Sequence, residues 1–338
     1  MNKIRALKIG DVSVAAGERG FGSLGYVELA DGTQVRIPLM IVRGLKRGPS
    51  LLLLSTIHGP EILGIEVIRR IIREEVNPKR LVGSILAIPV ANPLAFQNAS
   101  YVTPYFDYFD LNRSFPGDSQ GTITVRMADM IWSAVSKSDY IIDIHGVPNA
   151  MGHGYTVVRL SGKDSVDKNA IDMARAYGLS IVISEQRRIE EKGRLPGLQA
   201  LAMHNGIPCI LVETSGWRVW SRTAADSGVR GVLNVMKTLG MIPGSVEKQE
   251  GFVCPKPLKT HMLFANKGGI LHLMKSPGEQ IAAGDTVARI LNIYGDEVET
   301  IKSPKAGYVC AYPFMENQAV AAGEYVALIG EIIENYKI

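Results

Sequence analysis

The sequence predicts an α/β protein: a mostly parallel mixed sheet flanked by helices, followed by a smaller all-β unit. Three observations carry this prediction. Between Arg36 and Gly240, short apolar runs alternate with segments of helical period, the pattern of a parallel sheet covered by helices. From about Gly251 the helical period disappears, and short β-rich runs punctuated by Gly and Pro take over. Finally, 338 residues exceed what one ordinary domain holds. The expected boundary lies near residue 250, giving a unit over 1–250, whose first 35 residues form a β extension, and a second over 251–338.

The elements follow in chain order. The Gly17–Gly25 cluster lacks a following Lys-Ser/Thr and reads as turns in the β extension, not as a phosphate cradle. Residues 50–57 form a buried strand between Gly48-Pro49 and Gly59-Pro60. Over 61–75 the stripe Ile62, Ile65, Val67, Ile68, Ile71 and Ile72 predicts a helix ended by Asn77-Pro78. A strand at 84–90 stops at Asn92-Pro93. Helices at 124–137, 167–177, 197–205 and 228–239 alternate with strands at 139–145, 180–184 and 208–214.

The tail repeats itself. Ala282-Ala-Gly-Asp-Thr-Val-Ala-Arg-Ile290 matches Ala321-Ala-Gly-Glu-Tyr-Val-Ala-Leu-Ile329, and each copy follows a glycine-led strand. Two copies of one β unit predict a small barrel or sandwich with pseudo-twofold symmetry, and this half resembles the lipoyl/biotinyl carrier fold. Such carriers present a lysine at the hairpin between the copies. Here that hairpin reads Tyr294-Gly-Asp-Glu297, so the carrier function is expected to be absent.

Composition excludes several classes of function. Hydrophobic residues make up 46% and charged residues 21% of the chain, enough apolar material for a sizeable core. Lys and Arg number 37 against 33 acidic residues, with no basic run, so a nucleic-acid partner is not expected. The longest apolar stretch, Leu51-Leu-Leu-Leu54, is far too short to cross a bilayer. Cys209, Cys254 and Cys310 are odd in number and scattered, which rules out a disulfide framework. The N-terminus lacks the apolar core of a secretory signal. A cytoplasmic protein is expected.

Reactive side chains stand where strands end. His58-Gly-Pro-Glu61 spans the exit of the Leu-rich strand and the start of a helix, and Asp143-Ile-His145-Gly146 ends another apolar strand. Together His58, Glu61 and His145 make a His₂Glu set, which suits catalytic zinc and leaves a position for water. All three fall at carboxyl ends of strands, where open α/β sheets gather ligands. Structural roles also account for each residue singly: Glu61 is favoured in a first helical turn, and His145 fits a hydrogen-bonded strand end. On the residues alone the two readings stand level. Asp110-Leu-Asn-Arg-Ser-Phe-Pro-Gly117 offers the Arg113 fork and the Asn112 amide to a carboxylate, or forms an ordinary turn. Pro208-Cys-Ile-Leu-Val-Glu213 ends an apolar strand in a carboxylate placed to act as a base or simply to be solvated. Trp217 and Trp220 suit an apolar wall or core packing, while His153, His204, His261 and His272 are expected to be structural.

In that order, His58-Gly-Pro-Glu61, Asp110-Leu-Asn-Arg113, Asp143-Ile-His145 and Val212-Glu213 resemble the succinylglutamate desuccinylase/aspartoacylase family, a branch of the zinc carboxypeptidase-like superfamily. The resemblance covers about residues 35–240, and the β-rich tail agrees with that family's two-domain layout. It implies one Zn²⁺ per chain held by His58, Glu61 and His145, with Asp110 orienting His58. It also implies Glu213 as general base and Asn112 with Arg113 as the holders of a substrate carboxylate. The reaction implied is hydrolysis of a small N-acyl amino acid, of N-acetyl or N-succinyl type, to a carboxylate and a free amine.

One departure stands out. Relatives often carry an arginine in an Arg-x-x-Pro context before Asp-Leu-Asn-Arg, where it polarises the scissile carbonyl. This chain has Tyr101-Val-Thr-Pro104, so Tyr101 is expected to donate a single hydrogen bond there. Arg126, Arg159 and Arg194 are candidates for the missing charge. Two alternatives share these residues: a metallocarboxypeptidase acting on small peptides, and a non-catalytic relic serving as a binding module. The expectation that residues 251–338 narrow the entrance favours small acyl amino acids. The expected partner is a small molecule, with no nucleic acid or membrane, and a homo-oligomer is left open.

Overall fold

A computed structural model describes residues 6–185 and 197–334. The chain opens with an antiparallel hairpin, β1 (Leu7–Ile9) and β2 (Val12–Val14). Two long antiparallel strands follow, β3 (Arg19–Glu28) and β4 (Gln34–Arg43). They form one end of a large mixed sheet that continues through β6 (Val82–Ile88), β5 (Lys46–Ser55), β7 (Tyr140–Val147), β11 (Cys209–Ser215), β9 (Gly154–Leu160) and β10 (Ser180–Glu185). The centre, β6-β5-β7-β11, is wholly parallel. Leu51, Leu52, Leu53 and Leu54 are all fully buried, which explains why β5 reads as an unbroken apolar run: both faces are covered. β9 runs antiparallel to β11, and β4 antiparallel to β6.

The helices are α1 (Leu63–Arg70), α2 (Pro93–Asn98), α3 (Ile123–Val135), α4 (Asp164–Tyr177), α5 (Leu198–His204) and α6 (Arg222–Thr238). The stripe predicted as one helix over 61–75 divides into α1 and a π-helical turn, Ile71–Glu75, that keeps Ile71 and Ile72 buried. α2 is absent from the sequence-based expectation. There Asn92-Pro93 starts a helix: the Asn92 side chain accepts the Ala95 N–H at 3.0 Å, and Pro93 takes the first turn, where no donor is needed. No described helix is long and apolar enough to cross a membrane.

From Leu258 onward the described chain is built of strands. β12 (Leu258–Phe264), β14 (Gln280–Ile281), β17 (Gly307–Tyr312) and β19 (Tyr325–Ile332) extend the large sheet, joined through one parallel pair, Val182 with Leu258. β13 (Gly269–Leu273), β15 (Thr286–Leu291), β16 (Glu297–Lys302) and β18 (Ala319–Val320) form a second sheet. The two sequence copies thus place β15 and β19 in different sheets, and their matching residues Val287 and Val326, Ile290 and Ile329 share one buried core. A further apolar cluster, including Met151, Tyr155, Leu258, Cys310 and Leu328, welds this tail to the α/β sheet. β8 (Asn149–Ala150), directly after β7, pairs with β17, which brings the tail to the carboxyl end of the central strands.

Candidate metal centre

The turn after β5 fixes His58 and Glu61. Thr56 sits at φ +55°, strained for a β-branched residue. It is held there by the Asn92 N–H to Thr56 carbonyl bond and by its own hydroxyl, which donates to the Glu61 carbonyl at 3.1 Å. Gly59 is required at the next step, because a Cβ there would lie 2.0 Å from the Ala95 carbonyl oxygen of α2. The Gly59 N–H donates to the Ser100 carbonyl at 2.8 Å. Tyr101 is thereby laid on His58, ring centroids 3.7 Å apart and 11° from parallel.

The buried residues His58, Glu61 and His145 converge, with one ligand atom of each lying within 4.8 Å of the others. His58 Nδ1 is 2.7 Å from Glu61 Oε1, and His145 Nδ1 is 3.0 Å from Glu61 Oε2. The outer nitrogens face separate carboxylates: His58 Nε2 lies 3.2 Å from Asp110 Oδ1, and His145 Nε2 lies 3.0 Å from Asp143 Oδ2. Asp110 also caps the 3₁₀ turn Leu111–Arg113, accepting the Asn112 N–H at 2.7 Å. The pairing of Asp110 with His58 follows the sequence expectation. The partner of His145 was legible but unread: residues two apart on a strand share a face, which puts Asp143 beside His145.

The charge balance of the cluster suits a cation. Four carboxylates, Glu61, Asp110, Asp143 and Glu213, act on two imidazoles. Burial pushes the Glu61 carboxyl up, but His58 and His145 overcome it and hold it down at about 2. Burial opposes charge on both histidines, yet Glu61 with Asp110 raises His58, and Asp143 with Glu61 raises His145 well above the ordinary range. Glu61 Oε2 nevertheless remains buried without an aligned hydrogen bond, as do Asp143 Oδ1 and Glu213 Oε2. Two nitrogens and a carboxylate oxygen form a donor set that zinc favours, and the outer carboxylates are what metal-bound histidines ordinarily require. The residues fit a zinc ion.

Glu213 lies on β11 in register with His145 on β7. Burial pushes its carboxyl up to about 7, against the pull of His145. The loop after β11 is tied to the His58 turn by the Arg218 N–H to Pro60 carbonyl bond, and the Trp217 indole donates to the Gly146 carbonyl at 2.6 Å. Trp217 also flanks Tyr101 at 6.2 Å, whereas Trp220 is exposed.

Asn112 carries a structural load, since its Oδ1 accepts the Leu198 N–H at the start of α5. Its amide donors have no hydrogen-bond partner among the described residues. Arg113 is 52% exposed at its side chain and only loosely paired to Asp110, at 3.9 Å. Tyr101 is 45% exposed, but burial of its hydroxyl and the charges of Glu61, Asp110 and Glu213 keep it protonated. Of the candidate arginines, Arg126 is exposed and bonded to the Gly121 carbonyl. Arg194 lies outside the described residues. Arg159, on β9, is set near the site: burial and the Arg113 charge lower its pKa while Glu213 raises it. Tyr155 and Tyr325 also feel the Glu213 charge, Tyr325 from β19 of the tail. The sequence signal for Tyr325 was its departure from the repeat, where the other copy has Thr286.

Comparison with known proteins agrees with this fold. The curated N-alpha-acetyl-L-2,4-diaminobutyric acid deacetylase of Halomonas elongata is 23% identical over 312 residues, covering 89% of this chain and 87% of that protein. The succinylglutamate desuccinylase/aspartoacylase structure from Rhodobacter sphaeroides superposes with a TM-score of 0.81 at 23% identity, covering 93% of this chain and 96% of its own. The product-bound ectoine utilization protein EutE (DoeB) of Ruegeria pomeroyi gives 0.81 at 22% identity, covering 96% and 99%. A family model described as the succinylglutamate desuccinylase/aspartoacylase catalytic domain matches residues 47–239, more than half of the chain and all of the motifs above. The chain belongs to the succinylglutamate desuccinylase/aspartoacylase family.

Proposed function

We propose that this chain is a zinc-dependent amidohydrolase that removes the acyl group from a small N-acyl amino acid, of N-acetyl or N-succinyl type. The observation that carries this reading is the buried His58–Glu61–His145 cluster, in which both Nδ1 atoms face one glutamate and each Nε2 is backed by its own carboxylate. The relative from Halomonas, whose name describes a deacetylase of an N-acetyl amino acid, supports the reaction type.

His58, Glu61 and His145 hold the ion. A zinc ion held there would supply Lewis acidity, which polarises a carbonyl and lowers the pKa of water from 15.7 toward ~7. Glu213 takes the proton of the attacking water and returns it to the leaving amine. Burial raises this carboxyl above its ordinary value in the metal-free protein, and a positioned acid/base contributes ~10²–10⁴-fold. Arg113 and the amide donors of Asn112 grip the substrate carboxylate, fixing the amide bond relative to Glu213. The Tyr101 hydroxyl, held protonated, donates to the developing oxyanion, and Arg159 supplies positive potential behind it. Tyr325 of the tail, which feels the Glu213 charge, supports a tail that narrows the entrance to acyl amino acids. We read the tail as lipoyl-like in fold. A cytoplasmic location belongs to the same proposal, supported by three free, buried cysteines.

The test is metal analysis of the purified protein followed by a screen of N-acetyl- and N-succinyl-amino acids. About one zinc per chain and hydrolysis of such an amide are expected. Cleavage of dipeptides alone, or no zinc uptake at all, overturns the proposal. Glu213→Gln keeps the zinc and loses ~10²–10⁴-fold in kcat.

A further inference from the structure

Beside Arg113 lies a cavity of about 450 Å³, walled chiefly by Tyr108, Phe109, Pro116 and Val125, with Asp110 and Arg113 on its polar side. Its size falls within the ~300–1,000 Å³ typical of small-molecule sites. The loop that forms it is tightly over-determined. Asp107 accepts the Thr122 hydroxyl at 2.6 Å and both the N–H and the hydroxyl of Thr124, at 2.9 and 2.6 Å. The Thr103 N–H donates to the Phe109 carbonyl and the Tyr108 N–H to the Thr103 carbonyl, each at 3.1 Å. These bonds hold Tyr108 at φ +54°, a strained conformation for an aromatic residue. They leave Tyr108 61% and Phe109 48% exposed. Solvent-facing aromatic rings fixed at the rim of an apolar hollow mark a surface built to be covered.

What covers it follows from its neighbour. In the proposed reaction Arg113 grips the substrate's carboxylate, and in an α-amino acid the carboxylate and side chain share one carbon. A hollow flanking Arg113 therefore meets the side chain before it meets the acyl group. Its lining offers rings and methyl groups, and its one carboxylate, Asp110, is engaged by His58 and the Asn112 N–H. We propose that this cavity receives an apolar side chain, aromatic or long aliphatic, of the N-acyl amino acid substrate. The inference rests on the amidohydrolase reading and adds the substrate class.

Binding of the product amino acids tests the cavity without requiring turnover. Calorimetry on the zinc-loaded protein is expected to give L-phenylalanine and L-leucine at least tenfold tighter than L-aspartate and L-2,4-diaminobutyrate. Phe109→Ser and Tyr108→Asn alter exposed positions, and asparagine tolerates the left-handed backbone at 108. Each is expected to weaken L-phenylalanine about tenfold while leaving L-alanine within twofold. In turnover the same variants raise KM for N-acetyl-L-phenylalanine and spare kcat. Equal or tighter binding of the charged amino acids overturns the inference, as does indifference of L-phenylalanine binding to both variants. Apolar preference in binding with no hydrolysis of any N-acyl amino acid leaves the cavity standing and removes the amidohydrolase reading.

Discussion

The two ends of the central parallel strands share one architecture and differ in how their polar groups are satisfied. At the amino end a cavity of about 430 Å³ is bordered by Gly48, Pro49, Asp139, Tyr140 and Ser165. There Asp139 is closed into a pair: it accepts the Ser50 N–H at 2.8 Å and returns its own N–H to the Ser50 carbonyl at 2.9 Å. At the carboxyl end, three of the five buried side-chain atoms without a hydrogen bond among the described residues gather in one place, on Glu61, Asp143 and Glu213. An unpaired buried acceptor costs about 1–3 kcal/mol. A cation held by His58, Glu61 and His145 would offset the carboxylates of Glu61 and Glu213. Hollow space alone marks no site, and the amino-end cavity has no such cluster.

Substitutions at the two ends should separate accordingly. The largest effect belongs to His145→Ala, which deletes one of two nitrogen ligands. The expected result is loss of stoichiometric zinc after dialysis and of all measurable hydrolysis, and a variant that still holds one zinc per chain breaks the ligand assignment. Asp143→Asn comes next. Outer-shell partners of metal-bound histidines typically control ~10–100-fold in affinity, so a competitive chelator should strip zinc from this variant that much more readily. Asp139→Asn, at the opposite end, is expected to stay within twofold of the parent in zinc affinity and turnover and to lose only about 1 kcal/mol of stability. Equal effects of the two aspartate changes on zinc would erase the distinction between the ends.

The carboxyl-end cluster was readable in the sequence because its residues sit at strand exits. His58, His145 and Glu213 each end an apolar run, and a strand exit is visible without knowing strand order. Other features were hidden for physical reasons. β9 is hard to read locally because Gly152 and Gly154 interrupt the chain just before it, although Tyr155, Val157 and Arg159 share one face of the strand. Gly154 is in fact demanded by packing, since a Cβ there would lie 2.1 Å from the Glu213 carbonyl oxygen. The tail meets the large sheet through Val182 with Leu258, 76 positions apart, and through β8 with β17, and no local pattern encodes such meetings. Arg159 and Tyr325 come near Glu213 through β9 and β19, the strands whose placement depended on those unseen pairings.

The pH dependence of stability is the effect most specific to the carboxyl end. Burial lifts the Glu213 carboxyl from an ordinary 4.5 to about 7 in the metal-free protein. Between those two values the folded chain retains a proton that the unfolded chain has already released. Stability without metal therefore falls as pH climbs from 4.5 to about 7 and stays at the lower level above that. The loss is roughly 3 kcal/mol at most, at 1.36 kcal/mol per unit. Glutamine cannot ionise, so metal-free Glu213→Gln should melt a few degrees above the parent at pH 8 and match it near pH 4, by differential scanning calorimetry. Zinc should shrink the difference at pH 8, because a nearby cation favours the ionised carboxylate of the parent. Parallel melting curves for parent and variant across this range would mean that Glu213 is solvated like the pairs at the amino end, and unsuited to the base role assigned to it.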